Sequence, residues 1–137
     1  MNRQKDHFCS FNEEDLAIFS GKLRRKGVRR DHCLVWTGCL TSDQNYGVIT
    51  RNMKCCSKQK PWRVNRIAFA LANYDGNLET FSEILCDSSF HISHLCHNSL
   101  CIQYDHLSRE RQIVNNNRIA CHNYMDCYGH NERDCLL

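Results

Sequence analysis

Apolar side chains recur at helical spacing near the start of the chain. Leu16, Phe19 and Leu23 fall on one helical face, and Asn12 precedes an acidic first turn. An asparagine N-cap followed by acidic residues is typical of helix starts, and here a glycine follows the last basic residue. The sequence therefore predicts an amphipathic helix over residues 11–26.

Two further stretches also have helical character. Apolar residues three and four positions apart between Val64 and Leu71 predict a helix over residues 62–73. A third, mostly polar helix is predicted over residues 107–119, although its asparagines at 115–117 are poor helix formers.

Shorter runs rich in β-branched and aromatic residues predict strands. Residues 33–37 and 46–51 have this composition, and the polar turn between them predicts that they pair as a hairpin. Residues 52–60 are expected to form a basic loop. A short strand is predicted at residues 90–93, followed by a loop over residues 94–105. With the third helix this would make a ββα unit, if the loop contains another extended piece. Since there is no internal repeat and no linker, we expect one α+β domain.

Cysteine and histidine are frequent for a chain of this size, with 11 Cys and 8 His in 137 residues. A short chain with a sparse apolar core needs a further source of stability, which disulfide bonds or bound metal can supply. The odd cysteine count, the nearby histidines and the lack of an apolar secretory segment favour a reduced, zinc-binding intracellular protein. A secreted, disulfide-bonded fragment is the alternative. No stretch approaches the roughly 20 apolar residues of a membrane span, so we expect no membrane partner.

Positive charge is regional, although the formal net charge is only +3. One basic cluster lies between Lys22 and Arg30. Six more basic residues, with no acidic one among them, lie between Gln44 and Tyr74: Arg51, Lys54, Lys58, Lys60, Arg63 and Arg66. A basic stretch is typical of surfaces that bind a phosphate backbone, so we expect the second stretch to contact double-stranded DNA. A solvated charged face is the alternative for the first cluster.

Three candidate zinc ligands follow the pattern C-x4-C-x4-H at Cys96, Cys101 and His106. At that spacing a folded loop can direct three ligands to one Zn²⁺. The fourth ligand would be Cys33 or Cys39, and Cys33 is favoured because it opens a predicted strand that can approach the loop. Four ligands with no open position would make this a structural site.

A second set of ligands lies near the end of the chain in the pattern C-x5-C-x2-H-x4-C: Cys121, Cys127, His130 and Cys135. His122 is the alternative nitrogen ligand. Four ligands within fifteen residues can surround one ion almost without outside help, so this tail should fold only with metal. The sequence therefore predicts two structural Zn²⁺ ions.

His94 lies two residues before the first ligand of the zinc loop and is not needed as a ligand itself. A neutral imidazole held through one nitrogen can accept a proton from water through the other. One of the three asparagines at 115–117 can supply an amide oxygen to a largely hydrated Mg²⁺, and the spacing does not choose among them. A structural histidine and a fraying helix end are the alternatives.

The residues SHLCHN at 93–98, followed by Cys101, His106, Asn115, Arg118 and Cys121, resemble the His-Cys box homing endonucleases. These belong to the His-Me finger (ββα-metal) nuclease superfamily, and the alignment has no gap from His94 to Cys121. The resemblance implies a ββα-metal core in which His94 is the general base and Asn115 holds one catalytic Mg²⁺. It also implies that the two ligand sets are structural zinc sites.

The function that the resemblance implies is a Mg²⁺-dependent endonuclease that hydrolyses phosphodiester bonds of duplex DNA, in the nucleus or wherever its target resides. The domain would comprise a helical and basic segment, a DNA-contacting hairpin and helix, an active-site ββα unit and a zinc loop, at residues 1–30, 31–74, 88–119 and 121–137. A zinc-dependent DNA-binding module that has lost cleavage is the alternative.

Two features depart from the family. The family places an arginine just before a tryptophan that resembles Trp62. Here that position is Pro61, so Lys60 or Arg63 would have to take its place near the scissile phosphate. Better-known members dimerise through a long exchanged C-terminal tail, whereas this chain ends two residues after Cys135, so a homodimer would need another interface.

Overall fold

The structure, a computed structural model, describes residues 9–53, 55 and 58–124, and for residues 58, 59 and 120–124 it describes the backbone only. The elements in chain order are α1 (Glu13–Lys26), β1 (Gly27–Arg30), β2 (Cys33–Trp36), β3 (Val48–Met53), β4 (Lys58–Arg63), α2 (Val64–Ala72), α3 (Leu78–Cys86), β5 (Phe90–His94), a 3-10 turn (Tyr104–His106), β6 (Leu107–Arg111) and α4 (Gln112–Tyr124). The predicted α+β class is confirmed. None of the helices described here is long and apolar enough to cross a lipid bilayer.

The start of α1 follows from its first residues. The side chain of Asn12 accepts a hydrogen bond from the Asp15 N–H at 2.8 Å, and the Asp15 carboxylate accepts one from the Asn12 N–H at 2.9 Å. This reciprocal pair is a capping box, which satisfies two N–H groups at the helix end. The predicted first helix is thus confirmed, with Glu13 rather than Phe11 as its first residue.

The strands form three separate two-stranded antiparallel sheets, in which β1 pairs with β2, β3 with β4 and β5 with β6. The predicted hairpin between residues 33–37 and 46–51 is therefore wrong. Each of those strands pairs with a partner closer in sequence, and two residues join β1 to β2. One of these, Asp31, has φ 52°, as a tight hairpin turn requires. Of the predicted basic loop, residues 52–53 belong to β3 and residues 58–60 to β4.

The apolar core lies between the first three helices and the β3–β4 hairpin. The ring of Phe11 meets the rings of Trp62 and Phe81 edge to face, each with centroids 5.3 Å apart. On α2, which confirms the predicted second helix, Ile67 is fully buried. The sequence pattern did not predict α3, which Asn77 caps by accepting hydrogen bonds from two backbone N–H groups. Buried aromatic rings of this size contribute most of the stabilising apolar contact in a small core.

A ββα unit is formed by β5, β6 and α4. The two strands pair in register from Phe90 opposite Arg111 to His94 opposite Leu107. The predicted helix over residues 107–119 is wrong in its first part, because residues 107–111 form β6 and α4 begins at Gln112. Pairing with β5 buries Leu107 completely, and this tertiary contact outweighs a weak helical pattern. The extended piece that the unit required is therefore β6.

Candidate metal centre and active site

Three thiols and one imidazole meet where β2 approaches the loop between β5 and β6. The ligand atoms of Cys33, Cys96, Cys101 and His106 all lie within 4.8 Å of one another, and all four residues are buried. Nδ1 of His106 is 3.6 Å from the Cys33 sulfur and 3.5 Å from the Cys101 sulfur. Tetrahedral zinc, with bonds of about 2.3 Å to sulfur and about 2.0 Å to nitrogen, separates such atoms by about 3.5 Å. The four residues therefore fit a structural Zn²⁺ with no open position.

Backbone pairing explains why these ligands meet. Cys33 is the first residue of β2, and residues 95–106, the zinc loop, run beside that strand. The N–H groups of Trp36 and Ile102 donate across the gap between strand and loop, each at 2.8 Å. The sequence left Cys33 and Cys39 as candidates for the fourth ligand. The structure places Cys33 in the cluster, while Cys39 is exposed and lies outside it.

Hydrogen bonds among the thiols prepare one sulfur to ionise. The pKa of Cys96 is lowered, chiefly because its sulfur accepts a hydrogen bond from the Cys101 thiol. The same bond, together with burial, raises the pKa of Cys101, and burial raises the pKa of Cys33. Three thiolates so close together repel one another, so a bound cation is needed before all three can ionise.

The second predicted ligand set falls mostly outside the described residues. Cys121 lies in α4, where only the backbone is described, as it is for the alternative ligand His122. Cys127, His130 and Cys135 lie outside the described residues. A second zinc site therefore stays a prediction.

The imidazole of His94 is held at one nitrogen and bare at the other. Its ring donates a hydrogen bond to the backbone carbonyl of Cys101. Its Nε2 is buried and has no hydrogen-bond partner, so the donor is Nδ1. Burial lowers the pKa of His94 from 6.5 to about 4, so the ring is neutral at neutral pH. The lone pair of a neutral ring in this tautomer is on Nε2, where it can accept a proton.

A cavity of about 580 Å³ lies beside His94. Three arginines line it, Arg63, Arg66 and Arg118, and among the described lining residues there is no carboxylate. The buried Arg118 is neutralised by Glu110, and Arg66 donates to backbone carbonyls, so the positive charge that faces the cavity comes chiefly from the exposed Arg63. Concave, positively charged walls concentrate anions, and phosphate groups are well matched to guanidinium donors. The cavity is therefore suited to a phosphate.

Arg63 is the basic residue that the structure places next to His94. Its guanidinium lies 4.2 Å from the ring centroid of Tyr46, and that ring lies 6.3 Å from the ring of His94. Side chains alternate between the two faces of a strand, so residues 60 and 62 of β4 share one face and residues 61 and 63 the other. Accordingly, Lys60 lies over the ring of Trp62, 5.8 Å from its centroid, on the core side. Of the two candidates for the family arginine, Arg63 is at the cavity.

The predicted metal ligand Asn115 lies on α4 and lines the same cavity as His94. Its amide nitrogen is 3.0 Å from Nδ1 of His91, to which it can donate a hydrogen bond. Burial, and then the nearby positive charge of Arg66 and Arg63, lower the pKa of His91, which keeps that nitrogen a neutral acceptor. This contact engages the amide nitrogen of Asn115 and not its oxygen, and the binding of Mg²⁺ by that oxygen stays a prediction.

Two of the other predicted DNA-binding residues make internal contacts. Arg51 forms an ion pair with Asp15 at 2.5 Å, which joins β3 to the capping box of α1. Arg66 donates to three backbone carbonyls at the end of α3 and the start of β5: Ile84, Asp87 and Phe90. Lys54 lies outside the described residues, and only the backbone of Lys58 is described. DNA contacts by these four residues stay predictions.

The sequence analysis missed a buried ion pair below the cavity. Arg118 of α4 donates to both oxygens of Glu110 of β6, at 2.7 and 2.6 Å, and the two side chains are 1% and 0% exposed. A bidentate pair of this kind fixes the orientation of the helix on the strand. Arg118 is one of the residues that carry the family resemblance, but no sequence signal indicated that it pairs with Glu110, because both stand in a segment rich in polar residues.

Comparison with known proteins identifies the family. Residues 32–136 match the family model described as the zinc-binding loop region of homing endonuclease. The match covers more than half of the chain and includes both predicted ligand sets, so the chain belongs to this family, as the resemblance predicted. No curated protein and no solved structure matches the chain. Fold, cysteine–histidine centre and family together define a nuclease-related zinc-binding domain.

Proposed function

We propose that this protein is a divalent-cation-dependent endonuclease that hydrolyses phosphodiester bonds of duplex DNA. The observation that carries the proposal is the state of His94, which is fixed through one nitrogen and bare at the other beside a positively charged cavity. A histidine held in this way is suited to take a proton from water. The carbonyl that fixes it belongs to Cys101, a member of the zinc cluster, so the structural metal also supports the base.

The charge of the cavity supports a phosphodiester substrate. Arg63 is positioned by Tyr46 at 4.2 Å and would contact a non-bridging phosphate oxygen. Phosphate contacts of this kind give affinity without sequence preference and make binding weaken as salt increases. Membership of a homing-endonuclease family supports DNA as the polymer that carries the phosphate.

The residues at the cavity fit a hard divalent cation only in part. The amide oxygen of Asn115 is a suitable ligand, and the described lining offers no carboxylate to accompany it. Oxygen atoms of the DNA phosphate and water would complete the coordination, so we expect weak cation binding in the absence of DNA. When bound, Mg²⁺ would offset the negative charge of the phosphate and of the leaving oxygen.

The chain's own residues account for the remaining chemistry. Nε2 of His94 would take a proton from a water molecule, and the resulting hydroxide would attack phosphorus in line with the 3′ oxygen. The bond from phosphorus to that oxygen would break, and the departing oxygen would take a proton from solvent water, giving 5′-phosphate and 3′-hydroxyl ends. Arg63 would hold the phosphate for attack and stabilise its developing charge.

Substitution of His94 tests the proposal. With supercoiled plasmid and Mg²⁺, we expect His94→Ala to lower the rate of nicking by about 10²- to 10⁴-fold, the usual contribution of a general base. His32→Ala, which removes an exposed histidine, is the matched control and should cleave like the parent protein. Zinc content and thermal midpoint are measured for all three proteins, and added imidazole should partly restore cleavage by His94→Ala.

The same assay tests the cation ligand. Asn115→Ala should raise the Mg²⁺ concentration needed for half-maximal nicking, whereas Asn117→Ala, at an exposed position on the same helix, should not. If the parent protein binds DNA and nicks none with any divalent cation, the domain is a DNA-binding module and the proposal is wrong.

A further inference from the structure

His91 is a second histidine at the cavity, and the chemistry described so far gives it no direct contact with DNA. It lies on β5 with His94, and both imidazoles line the cavity. Nδ1 of His91 is 3.0 Å from the amide nitrogen of Asn115, and an amide nitrogen can only donate. Nδ1 must therefore accept, and a ring that accepts at Nδ1 carries its proton on Nε2. The two histidines of β5 are thus in opposite tautomers: His94 has its acceptor at Nε2, and His91 has its donor there.

No group of the described residues accepts the N–H at Nε2 of His91. The acid opposite His91 in the β5–β6 register, Glu110, has both carboxylate oxygens bonded to Arg118. Solvent reaches Nε2 of His91, whereas Nε2 of His94 is buried. A donor that is accessible and unpaired within the described part of the chain is available to a ligand in the cavity.

The neighbours of this donor are basic. The guanidinium groups of Arg66 and Arg63 lie close enough to act electrostatically on the imidazole of His91. Arg63 is exposed and lines the same cavity. A neutral N–H donor and a guanidinium group on one wall are matched to an anion with several acceptor oxygens, as a phosphate is.

We propose that His91 is a substrate-binding residue whose Nε2–H donates a hydrogen bond to a non-bridging oxygen of the DNA phosphate. The inference rests on the proposed function, because it assigns the anion in the cavity to the DNA backbone. Arg63 would contact one phosphate oxygen through its charge, and His91 would contact another through a neutral donor. Through Nδ1 the same ring holds the amide of Asn115, so His91 would connect the bound DNA to the predicted cation ligand.

Variants that replace one ring nitrogen at a time test the contact. Glutamine places an amide N–H near the position of Nε2, asparagine places an amide near Nδ1, and phenylalanine supplies neither. Binding of a mixed-sequence duplex is measured by fluorescence anisotropy without added divalent cation, so cleavage plays no part. We expect His91→Phe and His91→Asn to weaken binding by about tenfold, as loss of a hydrogen bond to a charged group does, and His91→Gln to bind like the parent protein. His32→Phe, at an exposed histidine, is the matched control, and zinc content and thermal midpoint check the fold of each variant.

Nitrogen NMR of protein with isotope-labelled histidine gives a readout that a change in packing would not mimic. The signal that is lost in His91→Phe should show the Nε2–H tautomer, and its Nε2 resonance should shift when DNA is added. An Nδ1–H tautomer at His91, or parent-like DNA affinity in His91→Phe, would overturn the proposal. So would equally weak binding by His91→Gln and His91→Phe, which would indicate a packing role. None of these readouts requires cleavage, so a protein that gives the expected results and nicks no DNA would retain this contact and lose the nuclease proposal.

Discussion

The apolar core and the ββα unit are stabilised in different ways. In the core, closely packed rings and aliphatic side chains dominate: Phe11, Phe19, Trp62, Ile67 and Phe81. Around the site, Ile92 and Leu107 still pack into that core, and the buried groups also include the cluster of Cys33 and the ion pair of Arg118 with Glu110. Two of the three buried polar atoms without a hydrogen-bond partner among the described residues, Ser93 Oγ and His94 Nε2, lie on β5. Burial of unpaired polar atoms costs free energy, so the region around His94 keeps them at the expense of stability, as functional sites often do.

The apolar core and the ββα unit should differ most in their response to the removal of zinc. Binding of a structural zinc ion contributes on the order of 10 kcal/mol at neutral pH, comparable with the stability of a whole small domain. In Cys96→Ser we expect amide exchange to accelerate most in residues 95–106 and least in α2, as hydrogen exchange with mass spectrometry would measure. Cys39→Ser is the control. Equal acceleration in both regions would show that they do not differ in their dependence on metal.

Breaking the buried ion pair should have the next largest effect. Glu110→Gln leaves the Arg118 guanidinium buried without its bidentate partner, so we expect the free energy of unfolding to fall by about 3–5 kcal/mol. Replacing both residues by apolar ones should restore much of that loss. Urea denaturation measures each value. The exposed carboxylate Glu14 provides the control, and a loss from Glu110→Gln as small as that from Glu14→Gln would contradict the prediction.

Strand β4 borders both regions, which allows a smaller and more local test. We expect Arg63→Ala to lower kcat/KM for DNA cleavage by about 10²-fold, because it removes a donor at the cavity. Arg63→Lys should recover only part of this, since an ammonium group keeps the charge and loses the planar contact with Tyr46. Lys60→Ala should have a weaker effect, because Lys60 lies on the core face. A larger effect at Lys60 would reverse the assignment of the two side chains.

The parts of the fold that the sequence predicted are those with local signals. The cap at Asn12 and the spacing within α2 are determined by residues three or four positions apart, as helices require. The ligand pattern at Cys96, Cys101 and His106 is likewise local, and the structure brings these residues together with Cys33. Such features can be predicted from sequence because they depend little on which other segments pack nearby.

The parts that were wrong depend on which segments pair, and composition alone does not show this. Residues 107–111 form a strand because β5 is available to pair with them, and their own composition does not show this. The false hairpin between residues 33–37 and 46–51 has a different cause, since each strand pairs with a nearer segment, residues 27–30 or 58–63, whose polar and basic composition does not indicate a strand. The contact of Asn115 with His91 needs both α4 and β5 in place, so spacing alone could not suggest it.

Cys101 takes part in both the zinc cluster and the support of His94, since its sulfur is in the cluster and its carbonyl oxygen accepts a hydrogen bond from the ring of His94. A newly synthesised chain that has not yet acquired metal would lack an ordered loop there, and its imidazole would be free to rotate. Under the proposed function, such a molecule would not cleave DNA. Its maturation would then be governed by the supply of zinc in the compartment where it folds.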